Sequence, residues 1–525
     1  MSPKITVGII DNQDYARISA TGNLIITSED RVVLKGEKPV IRASVVDSYP
    51  LPSVFKVFVK EFKTRDEAEK FKREGCKNCG FQEVGKDLLN DGRVVFSNKS
   101  YWVFAGVFEN FEDAEKEKLR LEREGFNPWI RKEFMGTPKG KISIELNDGQ
   151  VFVLEPPVEI YPCDNDNFVV VYDVLIGIGY HWQHTQDLYF RGILRLLPGK
   201  RGKLVVVNEL TIDEYLFSVN SSEMPNDAHI ELLKAQTVAA RGTVLATMKK
   251  HHYNDPFDIC HDDHCQDYRG VGRERKNSIQ AVFETEGEVL FYGDEICDTR
   301  FSKICGGIAE SFEHVWGGES KPYLVAVADT LVDVEIPVNT EKKAKEFIDS
   351  NPPAYCNLNS FERVPEYLEF ARPFFRWEVI YSSEELEKIF REKTGYDIGE
   401  IVDIVPLARG DSGRIKRLRI VGKKGEKIID GELKIRQALH DTTLYSSMFY
   451  VVKEGKKFIL RGGGWGHGVG MCQIGAAMMA EKGKKYDEIL YHYYRGTRLR
   501  KVYEGLKKAP RAPENLPSKK IDWEG

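Results

Sequence analysis

One pattern occurs twice in this chain, 46 positions apart, and any fold must accommodate both copies. Phe55-Lys-Val-Phe-Val-Lys-Glu-Phe, then Thr64-Arg-Asp-Glu-Ala-Glu-Lys-Phe, returns as Tyr101-Trp-Val-Phe-Ala-Gly-Val-Phe, then Phe111-Glu-Asp-Ala-Glu. Val57 maps to Val103, Phe62 to Phe108 and Ala68 to Ala114. Each copy predicts a strand, a short capped turn and a charged helix ending near Gly75 or Gly125, with a further strand over 126–132. Cys76-x2-Cys79 at the end of the first copy is half a zinc site at most, and reads as a local disulfide or two inert thiols.

Around the repeat the chain is mostly strand-like. Residues 5–45 alternate apolar and polar with many β-branched positions, and 139–207 do the same with turn signals at Asn147-Asp-Gly and Leu197-Pro-Gly-Lys. A long helix is predicted over 228–250, with Asp227 as its N-cap and Ile230, Leu233, Ala235, Val238, Val244, Leu245 and Met248 on its buried face. Two charged helical patterns flank Asn351-Pro-Pro, strands follow from 401 to 458, and helices close the chain near 473–482 and 486–494. The fold class is therefore α+β, a β-rich multidomain chain with a few flanking helices. At roughly 150 residues per domain, 525 residues suggest three or four domains. The predicted divisions are an N-terminal β segment (1–50), the two repeats (51–135), a β-rich connecting domain (136–205), a main domain (206–505, with an insertion near 335–400) and a flexible tail (506–525). A net charge of −5 argues against a broadly basic nucleic-acid binder. No apolar run is long enough for a transmembrane helix. The start, Met-Ser-Pro-Lys-Ile, lacks a signal-peptide core, so the protein is expected in the cytosol if Met1 is its native start, and in the cell envelope if a leader has been removed.

Chemistry concentrates in three segments. The first is Ser221-Ser-Glu-Met-Pro-Asn226, where Glu223 is read at a strand-to-helix junction. Partial burial there would raise its pKa and suit it to donate a proton; the plainer reading is a helix-entry carboxylate. On the following helix, Arg241 interrupts a small, apolar run, so its guanidinium must find an acceptor or water. The second is Phe257-Asp-Ile-Cys-His-Asp-Asp-His-Cys-Gln266, with His251 and His252 just upstream. Thiolates and imidazoles at this density suit a tetrahedral zinc, while the Cys-x4-Cys spacing also permits a disulfide. The third is Arg461-Gly-Gly-Gly-Trp-Gly-His-Gly-Val-Gly-Met-Cys-Gln473, in which six of 13 residues are glycine. Backbone there can approach a ligand closely while Trp465, His467 and Gln473 project; a tight irregular turn is the alternative.

The repeat resembles the SPOR module, a small βαβ unit that binds peptidoglycan glycan lacking stem peptides. Tyr101, Trp102, Phe104 and Phe108 carry most of that likeness, and the resemblance implies that Tyr101 or Trp102 offers a ring to a sugar face. The second resemblance spans about 300 residues. Asn208-Glu-Leu-Thr-Ile-Asp-Glu-Tyr-Leu, Ser222-Glu-Met-Pro, Leu233-Lys-Ala-Gln-Thr-Val-Ala-Ala-Arg, Asp258-Ile-Cys with His264-Cys-Gln, Cys305-Gly-Gly, Val315-Trp-Gly, Gly410-Asp-Ser-Gly-Arg, Gly463-Gly-Trp-Gly-His-Gly-Val-Gly-Met and His492-Tyr-Tyr-Arg-Gly-Thr occur in the order of the SpoIID/LytB family. That family holds lytic transglycosylases of denuded peptidoglycan, which leave 1,6-anhydro ends, and the non-enzymatic amidase enhancer.

The resemblance implies Glu223 as catalytic acid/base, with Arg241 orienting it or binding a sugar substituent. Gln266, Trp465, His467, Gln473 and one of Tyr493 or Tyr494 would bind glycan. It also implies a structural zinc on Cys260, His264 and Cys265, with the fourth ligand among His251, His252 and His261, of which His252 is preferred. A Cys305–Cys356 disulfide is a further implication. Where many sporulation members have Ser-Ser-Gly-Gly, this chain has Ile304-Cys-Gly-Gly, so contacts made by those hydroxyls do not carry over. The implied partners are glycan strands and a cell-wall amidase, with no nucleic acid. A zinc metallohydrolase is a weaker reading, because no His-Glu-x-x-His pattern is present.

Overall fold

Ile5, Val7, Ile9 and Ile10 are all buried, because their strand, Lys4–Gln13, lies inside a sheet rather than at its edge. It pairs antiparallel with Leu204–Thr211, Lys4 opposite Thr211, and parallel with Ile259–Cys260, Val7 opposite Ile259. Gly8 is required there, since a Cβ would stand 2.7 Å from the Phe257 ring. The sheet has seven strands, and Ile193–Pro198, Val158–Pro162, Asn23–Ser28 and Arg31–Glu37 complete it. Against it packs a six-stranded sheet in the order Val151–Leu154, Lys141–Leu146, Ile41–Val46, Tyr15–Ala20, Val169–Ile176, His184–Phe190. The segments 1–50 and 136–205 therefore fold together as one sandwich and not as separate domains.

In this computed structural model the described residues are 2–505, except 38, 77–78, 91, 165, 179–182, 226 and 263. The predicted tail, 506–525, lies outside them. The chain forms two compact units, one from residues 2–224, 244–288 and 501–505, the other from 225–243 and 289–500. Strands outnumber helices among the described residues, as the α+β reading expects.

The repeat belongs to the first unit, and its two copies are halves of one sheet. The strand order is Trp129–Phe134, Ser53–Phe62, Ser100–Phe108, Gly80–Val84, with the two repeat strands antiparallel at the centre. Each copy's helix starts on a side-chain cap at equivalent positions, Thr64 before Arg65–Gly75 and Asn110 before Phe111–Arg123. The repeat pairs Val57 with Val103 and Ala68 with Ala114 are all fully buried in one core. Cys76 and Cys79 are joined as a disulfide, their Cα atoms 5.4 Å apart.

The sheet's other face is also covered. Trp102 is buried, with its ring 5.4 Å from Phe58, 5.5 Å from Trp129 and 5.4 Å from Tyr253. The expectation that it stacks on a sugar is corrected: it cements the module to the segment around Tyr253. Tyr101 faces the helix side, half-buried, and its hydroxyl donates to Glu83 at 2.9 Å.

The second unit builds a core between the sheet of Trp377–Ser382, Lys457–Gly462 and Phe449–Glu454, the sheet of Ile401–Arg409, Ile415–Gly422 and Gly425–Asp430, and the helix Ser383–Thr394. Trp377 pairs with Gly462, so the expected insertion near 335–400 is woven into the strands that follow it.

Candidate functional site

Thr211 ends a strand and starts a helix. Its hydroxyl accepts from the Glu214 amide at 3.2 Å, while the Glu214 carboxylate accepts from the Thr211 amide at 2.9 Å, a reciprocal cap. The helix runs Ile212–Glu223, and Ser221 and Ser222 are still buried when it reaches Glu223, which is half-exposed. Glu223 thus sits at a helix C-terminus rather than a strand-to-helix junction. A helix-entry acid would sit at the opposite end of such a helix.

Two turns back, Tyr215 is fully buried and stacks on Tyr268 with ring centres 5.0 Å apart. Its hydroxyl donates to Gln266 Oε1 at 3.1 Å. Burial raises the Tyr215 pKa well above its usual value, helped by the negative charges of Cys265, Cys260 and Glu223. Gln266 is thereby fixed in the interior of this unit.

Gln266 follows the cysteine–histidine segment. His252, Cys260, His264 and Cys265 bring their ligand atoms within 4.8 Å of one another. His264 Nδ1 lies 3.8 Å from the Cys260 sulfur and 3.7 Å from that of Cys265. These separations suit four ligands about 2.0–2.3 Å from one tetrahedral zinc. His252 Nδ1 is 2.8 Å from the Asp255 carboxylate, whose other oxygen pairs with Lys200 at 2.6 Å. That leaves Nε2, a buried nitrogen without a hydrogen-bond partner, as the metal-facing atom. Burial pulls the His252 pKa down, but Asp255 and Cys260 outweigh it and push it up to about 9. A hydrogen bond from Cys265, then the His252 and His264 rings, hold the Cys260 thiol far below its usual range against burial.

His261 is accounted for otherwise. Its two ring nitrogens face the Gly8 and Leu175 carbonyls at 3.1 and 3.0 Å. The loop is pinned on both flanks: Asp258 accepts from the Thr6 amide and Lys86, and Asp262 from the Gly177 and Ile178 amides.

The second unit carries the other predicted residues. Arg241, on the helix Ile230–Thr247, is fully buried. This helix is covered nearly all round rather than on one face: Gln236, Thr237 and Thr243 are buried with it, and a Cβ at Gly242 would meet Thr299 Oγ1 at 2.3 Å. In the glycine-rich loop, Trp465 exchanges backbone hydrogen bonds with Ile304 and its ring lies 4.6 Å from Phe374. His467 accepts the Val469 amide on Nδ1 at 3.0 Å, and its ring lies 4.8 Å from Trp316. Burial, then the charges of Arg300, Arg414 and Arg436, bring its pKa down to about 3, so the ring is neutral at physiological pH.

Trp316, 46% exposed and overlaid by the Arg300 guanidinium at 5.3 Å, is a surface aromatic that its Val315-Trp-Gly setting did not single out. Gln473 is buried, 3.5 Å from Gln236. Tyr493 and Tyr494 are interior residues whose hydroxyls donate to Asp329 at 2.6 Å and to the Arg300 carbonyl at 2.8 Å.

A family model described as a stage II sporulation protein matches residues 200–292, the stretch that holds Glu223, Arg241 and the cysteine–histidine loop. A second, described as a domain of unknown function, matches 310–470. An uncharacterized protein of Brachyspira hyodysenteriae (strain ATCC 49526 / WA1) is 32% identical over 318 residues, 59% of this chain and 74% of that protein. Stage II sporulation protein D of Bacillus amyloliquefaciens is 26% identical over 317 residues, 58% of this chain and 78% of the relative. The amidase enhancer of Bacillus subtilis (strain 168) is 28% identical over 304 residues, 54% of this chain and 40% of the relative. Fold and matches together define the class, a β-rich protein built on a stage II sporulation domain. The chain belongs to the SpoIID/LytB family. No helix among the described residues is long and apolar enough to cross a membrane.

Proposed function

We propose that this protein is a lytic transglycosylase of the cell envelope. It would cut denuded peptidoglycan between N-acetylmuramic acid and N-acetylglucosamine and leave 1,6-anhydro ends. The observation that carries the reading is the setting of Glu223, partly exposed at the end of a mostly buried helix. A carboxyl in that position can reach solvent, and in its acid form it would donate to a leaving glycosidic oxygen. The resulting carboxylate then takes the proton of the sugar's own 6-hydroxyl as that oxygen attacks the anomeric carbon. One carboxyl group serves both steps, whereas a hydrolase wants a second at a set distance.

Arg241, Gln266, Gln473, Tyr493 and Tyr494 are buried, which suits packing roles within their own units rather than contact with glycan. Trp316, Trp465 and His467 are the partly exposed candidates for sugar contact on the second unit. His252, Cys260, His264 and Cys265 would hold zinc as a closed structural site, which fixes the loop bearing Gln266.

The relative named amidase enhancer favours a second reading, in which the protein binds wall polymer and stimulates an amidase. Incubation of the purified protein alone with amidase-treated sacculi, followed by mass spectrometry, separates the two. Anhydro-muramic ends support the enzyme. Their absence, with stimulation of an added amidase on intact sacculi, supports the enhancer.

A further inference from the structure

Within the second unit, four metal-ligating side chains converge where no water reaches them. The ligand atoms of Cys305, Asp329, Cys356 and Cys472 all lie within 4.8 Å of one another, and all four residues are completely buried. The Cys305 sulfur is 3.5 Å from that of Cys356 and 3.5 Å from Asp329 Oδ2. Edges of roughly 3.5–3.8 Å are what ligands about 2.0–2.3 Å from a tetrahedral centre produce. We propose that Cys305, Cys356, Cys472 and Asp329 form a second, structural zinc site in the core of this unit.

The surroundings match a metal–thiolate centre. The Cys472 sulfur accepts backbone N–H bonds from Cys305 at 3.2 Å and Gly475 at 3.4 Å, and Cys472 caps the nine-residue helix Gln473–Glu481. Asp329 keeps one oxygen toward the thiols while the other accepts the Tyr493 hydroxyl at 2.6 Å, an outer partner that fixes a ligating carboxylate. Two guanidiniums, one buried and one half-buried, border the cluster: Arg414 donates to the Cys305 carbonyl at 3.1 Å and Arg376 to that of Gly306 at 2.9 Å. They offset the net negative charge of three thiolates and a carboxylate around Zn²⁺. On binding, zinc displaces the thiol protons to solvent.

The Cys305–Cys356 disulfide implied by family likeness accounts for less. The two sulfurs are not bonded. Joining them would leave the Cys472 thiol and a buried carboxylate without the charge that a metal supplies. The four donors lie far apart in sequence, so a metal here would tie the residue 305 loop, the 329 and 356 segments and the glycine-loop helix at one point.

Elemental analysis of the full-length chain carrying Cys260→Ser and Cys265→Ser, purified without chelator, reads this site apart from the first tetrad. The expected result is one equivalent of zinc, exchangeable for cobalt(II) with a thiolate-to-metal charge-transfer band, and lost when Cys356→Ser is added. Because metal loss and misfolding are not separated by that last variant alone, the wild-type chain is also mapped by mass spectrometry under non-reducing conditions, with Cys305, Cys356 and Cys472 expected as unlinked thiols. A folded parent that takes up no metal from excess zinc or cobalt, or a Cys305–Cys356 disulfide in the wild-type chain, overturns the proposal.

Discussion

At Gly468 one methyl group would collide with a guanidinium. The backbone φ is +78°, and a Cβ would stand 2.2 Å from Arg414 Cζ in a fully buried setting. Gly468→Ala is therefore expected to cost about 1–3 kcal/mol from backbone strain alone, read as a lower urea midpoint, with the collision adding to it. An unchanged midpoint would show that the loop yields. Glu310 sets a second residue-scale expectation. It is fully buried and accepts from the amides of Ser311, Asp411 and Ser412, from the Ser412 hydroxyl and from His314. Burial pushes its pKa up, but His314 and Ser412 outweigh it and hold it below the ordinary 4.5. That stabilisation is present above pH 4.5 and fades as pH falls through the lower folded value. His314 is raised above 6.5, chiefly by its bond to Glu310, so its share is complete below 6.5 and fades as pH rises through its folded value. Glu310→Gln should thus lower the thermal midpoint most between pH 4.5 and 6.5 and progressively less in acid. A deficit independent of pH would mean that the pair's ionisation is not what matters. The Gly410-Asp-Ser-Gly-Arg motif that wraps Glu310 was legible in sequence as a motif, but its role was not, because the two segments lie a hundred positions apart.

At the scale of elements, the cysteine–histidine loop was the most legible part of the site. Three of its proposed ligands fall within Cys260–Cys265, so density pointed to them, while the fourth stayed open among His251, His252 and His261. Asp255 was not legible, since a carboxylate three residues from a histidine is common in a chain with 81 acids. Its bond to His252 Nδ1 predicts that Asp255→Asn weakens zinc binding about 10–100-fold, measured by competition with a chromophoric chelator. Equal affinity would mean that Asp255 does not orient the ligand. The helix before Pro225 escaped notice for a different reason. All its residues but Glu214 and Glu223 are buried, so no amphipathic stripe marks it, and Glu223 reads in sequence as a strand-to-helix junction. Likewise the apolar stripe on Ile230–Thr247 was real but incomplete. Most of its polar residues are buried too, with Thr237 bonding back to the Leu233 carbonyl at 2.8 Å and Thr243 to that of Thr299 at 3.0 Å.

For the whole molecule, sequence order misled where strands return from afar. The boundary expected near residue 50 cuts a sandwich, because Lys4–Gln13 lies between Leu204–Thr211 and Ile259–Cys260. A chain beginning at residue 51 should fail to give soluble, cooperatively unfolding protein. Native-like unfolding of that truncation would restore the separate domain. Module 51–135 is tied in as firmly, since Asn98 donates to the Leu245 and Met248 carbonyls and Trp102 packs on Tyr253. The repeat itself was legible because equivalent residues occupy equivalent core positions, but that two copies make one sheet depends on long-range pairing. The central claim remains the acid/base role of Glu223. It is tested most directly by the yield of 1,6-anhydro-muramic ends from denuded glycan, measured by mass spectrometry for the wild type and for Glu223→Gln at matched thermal midpoint and metal content. The account predicts anhydro product from the wild type and about a 10²–10⁴-fold lower rate from the variant. Equal rates, or reducing ends in place of anhydro ends from the wild type, would contradict it.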